Sequence, residues 1–94
     1  MKSKVLITGS QGFIGKLLVN KLKKEYKLLL IDKKINKNHQ KNFHKINLLN
    51  LEELNEFFYH NKVNCIIHLA SEIFDNDKNV YSHNLLASKN LFLM

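Results

Sequence analysis

Three glycines, at positions 9, 12 and 15, are the residues of this sequence whose spacing most clearly indicates chemistry. They are the only glycines in the chain, and they lie between a short apolar run and an amphipathic one. Glycine has no Cβ, so it lets a ligand approach the main chain and tolerates positive φ. A helix that begins at such a turn adds unpaired N–H groups and the positive end of its dipole. The pattern predicts that Gly9 makes a turn, Gly12 admits linked phosphates and Gly15 lets the helix pack on the strand.

The alternative interpretation is a tight strand-to-helix turn that binds nothing. Such a turn needs one glycine, whereas this segment has three. The spacing is G-x-x-G-x-x-G, which differs from the G-x-G-x-x-G of the basic dinucleotide fingerprint. We therefore favour a pyrophosphate site.

Asp32 is the second candidate, since it ends another apolar run 17 positions after Gly15. A carboxylate at this distance accepts hydrogen bonds from the adenosine ribose hydroxyls and repels a 2′-phosphate, which favours NAD over NADP. Two alternatives stay open at this point. Asp32 could be an ordinary surface residue at a strand end, and Lys33 and Lys34 could accommodate a 2′-phosphate.

These motifs, with three others, resemble the NAD-dependent epimerase/dehydratase family of extended short-chain dehydrogenases/reductases. Residues 5–15 are similar to the opening of that family, and residues 65–71 to its fourth-strand motif. Asn47 and Leu48 stand where the family has Asp and an aliphatic residue at the adenine edge, and residues 84–88 resemble its Asn-x-x-Gly-Thr. The resemblance implies an NAD-binding Rossmann fold and, commonly, nucleotide-sugar substrates. The candidate cofactor-binding residues are Gly9, Gly12, Phe13, Ile14, Gly15, Asp32, Asn47, Leu48, Leu69, Ala70 and Ser71.

The family's catalytic pair, Tyr-x-x-x-Lys, is absent from this sequence. Leu30, Val63 and Leu85 stand four positions after the three tyrosines, so no general base of that type is present. His68 ends an apolar run, and a structural, hydrogen-bonded imidazole is a better interpretation of it than a catalytic one. We predict no catalytic residue and no metal site. Residues 1–94 are interpreted as an N-terminal NAD-binding domain, truncated before the catalytic and substrate-binding parts and not competent alone.

The elements that would position these residues alternate along the chain. Apolar runs predict strands over residues 4–8, 27–32, 43–47 and 64–69, and amphipathic spacing predicts a helix over residues 13–26. Asn50 is expected to cap a second helix with Glu53 as its capping-box partner, and Asp75 or Asp77 a last one. This order predicts an α/β fold: a partial, Rossmann-type doubly wound parallel sheet with strand order 3-2-1-4. The outer edge of the fourth strand is expected to favour self-association.

Composition limits the remaining function classes. The formal charge of the 94 residues is +7, but every basic residue is Lys, and the lysines are spread out without interleaved aromatic residues. This pattern argues against a nucleic-acid partner, although the charge favours an anionic cofactor. Cys65 lies in an apolar run and is predicted to be buried and inert. No apolar stretch is long enough for a membrane span, so we expect no membrane partner and a cytoplasmic protein.

Overall fold

The computed structural model of this chain describes residues 2–70, which form a parallel sheet with helices on both faces. The elements are β1 (Lys4–Thr8), α1 (Phe13–Leu22), β2 (Lys27–Asp32), β3 (Phe43–Lys45), α2 (Leu51–His60) and β4 (Cys65–His68). The strand order is β3-β2-β1-β4, as predicted from the sequence. The predicted last helix and the 84–88 motif lie outside the described residues.

Alternate residues of the central strands pack on opposite faces, as the pleat of a strand requires. On one face Val5, Ile7, Leu28 and Leu30 pack against Leu18, Val19 and Leu22 of α1. On the other, Leu6, Leu29 and Ile31 pack with Leu48, Leu54 and Phe57 at α2. Because both faces are covered, the strands read as continuous apolar runs in the sequence.

All four strands run in the same direction, so their carboxyl ends meet at one edge of the sheet. Thr8 at the end of β1 pairs with Ile31 on one side and with His68 on the other. Asp32 pairs with Lys45 at the end of β3. This edge is where open α/β sheets bind their ligands.

Asn50 caps the second helix, as predicted. The Asn50 side chain accepts a hydrogen bond from the main-chain N–H of Glu53 at 3.2 Å, which satisfies one of the unpaired N–H groups of the first turn. In a capping box the Glu53 carboxylate would accept a hydrogen bond from the N–H of Asn50. Here that N–H donates to the carbonyl of Asn47 at 2.9 Å instead, so only the Asn50 half of the predicted capping box forms.

Several predicted bounds and burials differ from the structure. The first helix ends at Leu22 instead of residue 26, although Tyr26 still packs on the same face. The third strand ends at Lys45 instead of residue 47. Phe13, Ile14 and Leu17, in the first part of α1, are exposed, because α1 contacts the described sheet through its later turns.

The prediction that Cys65 is buried was wrong, since its thiol is exposed. β4 lies at one end of the described sheet, and Cys65 is the first residue of that strand. An apolar run shows that a strand forms, but it does not show which of its residues are covered. Self-association through the outer edge of β4 stays a prediction.

No helix within residues 2–70 has the length and apolar character needed to cross a bilayer.

Candidate functional site

The glycine loop, residues 9–12, joins the end of β1 to the start of α1. Gly9 has φ +76°, a backbone conformation that residues with a side chain rarely adopt, and its N–H donates to the carbonyl of Ile31 at 2.8 Å. A Cβ at Gly9 would lie 2.8 Å from the main-chain nitrogen of Ala70. A Cβ at Gly15 would lie 2.3 Å from the carbonyl oxygen of Gly9. These two glycines are therefore required by the packing of β1, α1 and the end of β4.

Gly12 differs from the other two glycines, because no atom of the described residues crowds the place of its missing Cβ. Within residues 2–70, and apart from the adjoining residues, a Cβ there would meet the Gly9 carbonyl oxygen alone, at 3.4 Å, and the φ of −75° suits any residue. Packing does not explain a glycine at this position. The open space above the loop is what a ligand that approaches the main chain would need.

The first turn of α1 faces the same open space. Gly12 caps the helix without a side-chain hydrogen bond, and the first turn carries no acidic residue. The first N–H groups of a helix have no partner within it, and the helix dipole places partial positive charge there. Phe13 and Ile14, the first two residues, are 75% and 54% exposed. The turn can therefore donate main-chain hydrogen bonds to an anion of phosphate size.

The hydroxyl of Ser10 is a further polar group in this loop. Ser10 is fully buried, and its Oγ has no hydrogen-bond partner within the part of the chain that the structure describes. Buried hydroxyls are normally hydrogen-bonded. Together with the open space at Gly12 and the uncapped helix, this orphan group fits a loop that binds a polar ligand.

Asp32 lies beside the loop at the end of β2, with its carboxylate held by two main-chain groups. The N–H of Gln11 donates to Oδ2 at 3.0 Å, and the N–H of Lys34 donates to Oδ1 at 2.9 Å. A carboxylate has about four lone-pair sites, so it can accept further hydrogen bonds from a diol. Asp32 is 9% exposed, which leaves a small part of the residue open to a ligand.

The ends of β1 and β4 are joined by the Thr8 side chain, which the sequence analysis missed. Its Oγ1 accepts from the N–H groups of Leu69 and Ala70 at 3.1 and 3.3 Å and lies 2.7 Å from Nδ1 of His68. Since two donors already face this oxygen, its proton is directed to Nδ1. Burial lowers the pKa of His68 below its ordinary value, which favours the neutral ring, and a neutral ring can accept this hydrogen bond. Only the position of Thr8, at the end of the first strand, could have indicated this role.

An open cleft of about 640 Å³ lies at the ends of β2 and β3. Asn47, a predicted adenine-edge residue, is exposed there, and its Oδ1 accepts from the N–H of Leu49 at 2.9 Å. Leu48 is 5% exposed and packs in the core, so its side chain faces away from any ligand in the cleft. The cleft is lined by Lys33, Lys34, Lys45, Asn47 and Glu53.

The structure thus brings most of the predicted site residues to one edge of the sheet. The glycine loop, Asp32, Leu69 and Ala70 are joined by the contacts above, whereas Ser71 lies outside the described residues. Across residues 2–70, no cluster of three His, Cys, Asp or Glu side chains could hold a metal ion.

Comparison with known proteins decides what kind of fold carries this site. The model of the NAD dependent epimerase/dehydratase family matches residues 5–94. The chain belongs to this family. A search of the curated proteins found no match.

Solved structures of dehydrogenases and epimerases share the fold of this family member. An L-threonine dehydrogenase from Clostridium difficile is 24% identical with a TM-score of 0.82, covering 95% of this chain and 31% of that one. A UDP-Glc/GlcNAc 4-epimerase from Campylobacter jejuni is 23% identical with a TM-score of 0.81, covering 97% and 32%. A uronate dehydrogenase from Agrobacterium tumefaciens, complexed with NAD, is 18% identical with a TM-score of 0.82, covering 99% and 36%. At these identities the likeness shows the fold alone.

The chain spans about a third of the length of these structures. Its family identifies it as an NAD-binding Rossmann unit of the short-chain dehydrogenase/reductase type, with a nicotinamide dinucleotide as the cofactor class.

Proposed function

We propose that this chain binds NAD as the cofactor-binding part of an epimerase, dehydratase or reductase that acts on nucleotide sugars. The observation that carries the proposal is the difference among the three glycines. Gly9 and Gly15 are required by packing, whereas no atom of the described residues crowds a Cβ at Gly12, at the start of α1. A ligand that approaches the main chain closely supplies a physical reason for a glycine there.

In this proposal the cofactor pyrophosphate lies over Gly12 and the first turn of α1. The N–H groups of Phe13 and Ile14 donate to the phosphate oxygens, and the helix dipole stabilises their charge. The net charge of +7 adds a general attraction for the anionic cofactor.

The adenosine end extends from the loop toward β2 and β3. Asp32 accepts hydrogen bonds from the ribose hydroxyls, and its charge disfavours a 2′-phosphate, so we propose NAD as the preferred cofactor. Asn47 meets the adenine amine at the rim of the cleft. Because the Leu48 side chain is in the core, a contact from this position would come from its main chain. Leu69, Ala70 and Ser71 lie along the cofactor beyond β4.

When bound, the cofactor supplies hydride transfer, and the residues of this chain bind and orient it. No lysine follows any of the three tyrosines at the fourth position, so the chain has no positioned acid or base of the family's kind. His68 is engaged with Thr8 and is not assigned a catalytic role. We therefore propose that the chain alone binds cofactor without turnover and acts on nucleotide sugars only where a catalytic part is supplied.

The alternative function is a non-catalytic module that binds NAD to sense it or to assist an interaction. Both candidate functions use the same cofactor site, so the contacts described above fit each of them. A downstream reading frame that encodes the missing motif would favour the enzyme.

Calorimetric titration of NAD into the chain and into Gly12→Val tests the proposed function. The backbone at φ −75° suits valine, and its Cβ would lie at an ordinary contact distance, 3.4 Å, from the Gly9 carbonyl oxygen, so the fold should be retained. Its side chain fills the phosphate space, and we expect the affinity for NAD to fall by at least about tenfold, or about 1.4 kcal/mol.

The matched control is Asn20→Val, which places the same side chain at an exposed position of α1. Thermal melting of both variants checks that they are folded. Equal NAD binding by Gly12→Val and the unaltered chain would reject the pyrophosphate role of the loop. Salt-dependent DNA binding without affinity for NAD would instead support a nucleic-acid function.

A further inference from the structure

The loop between β2 and β3, residues 33–42, is held against the glycine loop by side-chain amides. Its polar, lysine- and asparagine-rich sequence predicts a loop and nothing more. In the structure, three side chains and one main-chain N–H form one hydrogen-bonded group, which we call the amide clasp: the side chains of Gln11, Asn36 and Gln40, with the N–H of Asn38.

Gln11 is the centre of the amide clasp. Its Nε2 donates to Oδ1 of Asn36 at 2.8 Å and to Oε1 of Gln40 at 2.7 Å, and its Oε1 accepts from the N–H of Asn38 at 3.2 Å. Both amide protons and the carbonyl oxygen are therefore used. A side chain so fully bonded has one orientation, and it fixes the loop that surrounds it.

Gln40 connects the clasp to the main chain of the glycine loop. Its Nε2 donates to the carbonyl of Ser10 at 2.8 Å. Gln40 is held in turn by Asn36, whose Oδ1 accepts from the Gln40 N–H at 2.9 Å and whose Nδ2 donates to the Gln40 carbonyl at 2.8 Å. His39, between them, has φ +51°, a strained conformation that the surrounding bonds keep in place.

The two segments that the clasp joins are those that hold the Asp32 carboxylate. Gln11, in the glycine loop, donates its main-chain N–H to Oδ2, and Lys34, in the loop after β2, donates its own to Oδ1. If the two segments separated, the two donors would no longer face the carboxylate together.

We propose that the amide clasp positions the Asp32 carboxylate and so sets how strongly the site selects a ribose 2′-hydroxyl. Gln11 and Gln40 are positioning residues, since they act through main-chain donors and not by touching the cofactor. This inference rests on the proposed function, because it assumes that a dinucleotide binds over the glycine loop.

The readout is the ratio of the dissociation constant for 2′-deoxy-NAD, which lacks the 2′-hydroxyl of the adenosine ribose, to that for NAD. Both constants are measured by calorimetry on the full chain. A hydrogen bond from the 2′-hydroxyl to a well-aimed carboxylate gives an expected ratio of about tenfold. Gln11→Met and Gln40→Met keep the side-chain length and remove the amide. Each should reduce the ratio to about twofold, and the double variant should reduce it no further, because the two residues act as one unit.

A residue that contributes only to stability would change the melting temperature and leave this ratio unaltered. The control is Lys37→Gln, an exposed residue of the same loop whose side chain is not part of the clasp. This variant should keep the ratio of the unaltered chain, even if the loss of the lysine charge weakens the binding of both ligands equally. The Gln40 side chain makes two of these hydrogen bonds and the Gln11 side chain makes three, so Gln40→Met is the variant expected to fold if Gln11→Met does not.

The possible failures are distinguishable. If the unaltered chain does not bind NAD, the proposed function fails. If it binds NAD but does not prefer it to the 2′-deoxy form, or if both variants keep the preference, the inference about the clasp is overturned and the proposed function stands.

Discussion

The hydroxyl of Thr8 lies 2.7 Å from Nδ1 of His68, and this contact joins the carboxyl ends of β1 and β4. The same oxygen accepts the N–H groups of the two residues that follow His68. The backbone that leaves β4 is therefore held against the turn that begins the glycine loop. Since this arrangement needs a ring nitrogen that accepts a hydrogen bond, it favours the neutral form of His68.

Stability should consequently decrease in mild acid. Burial lowers the pKa of His68 in the folded chain, whereas the unfolded residue keeps its ordinary value near 6.5. Above that pH both states are neutral and the contribution of His68 is complete. Below it the unfolded chain takes up a proton that the folded chain resists, so the free energy of unfolding falls until the folded pKa is passed. Urea unfolding measured from pH 8 to pH 5 should show this decrease.

His68→Asn should remove that part of the pH dependence, because the amide oxygen can accept from Thr8 and does not titrate in this range. His60→Gln, at an exposed position near the end of α2, is the control and should leave the decrease unchanged. A His68→Asn variant with the same pH profile as the unaltered chain would show that other groups cause the decrease.

The sequence predicted the sheet because each strand that is covered on both faces must be apolar throughout. The same reasoning placed the glycine loop and Asp32 at one edge, since parallel strands share the direction of their ends. It failed at Cys65, because an apolar residue type does not say which element covers it.

The contacts between distant polar residues could not be predicted at all. Gln11 and Gln40 are 29 positions apart, and their hydrogen bond depends on the path of an irregular loop. Side-chain amides have no periodicity that would reveal a partner. The composition of residues 33–42 therefore predicted a loop correctly and gave no sign that it is fixed to the glycine loop.

Gly15→Ala should destabilise the chain, whereas Gly12→Ala should not. Alanine within a helix is intrinsically favoured over glycine by up to about 1 kcal/mol. At position 15 this gain is exceeded, because the new Cβ would lie 2.3 Å from the main-chain oxygen of Gly9, which cannot move aside cheaply. We expect a net loss of about 1–3 kcal/mol in the free energy of unfolding, measured with urea.

Gly12→Ala is the matched control, with the same change of side chain three positions earlier. Its backbone is ordinary and its surroundings are open, so its stability should stay within about 0.5 kcal/mol of the unaltered chain. Equal losses in the two variants would contradict the assignment of Gly15 to packing and Gly12 to ligand approach.

Asp32→Ser should shift the cofactor preference from NAD toward NADP. Serine removes the charge that repels a 2′-phosphate, and it retains a hydroxyl that can accept one of the two main-chain N–H groups. Two lysines follow Asp32 directly and line the adjoining cleft with Lys45, so the local charge then favours a phosphate. We expect the ratio of NADP to NAD affinity, measured by calorimetry, to rise by at least about tenfold. Glu53→Gln removes the acidic residue that lines this adjoining cleft and should leave the ratio nearly unchanged, because Asp32 acts through direct contact with the ribose. A similar rise in both variants would mean that the net charge of the cleft, and not the position of Asp32, determines which cofactor binds.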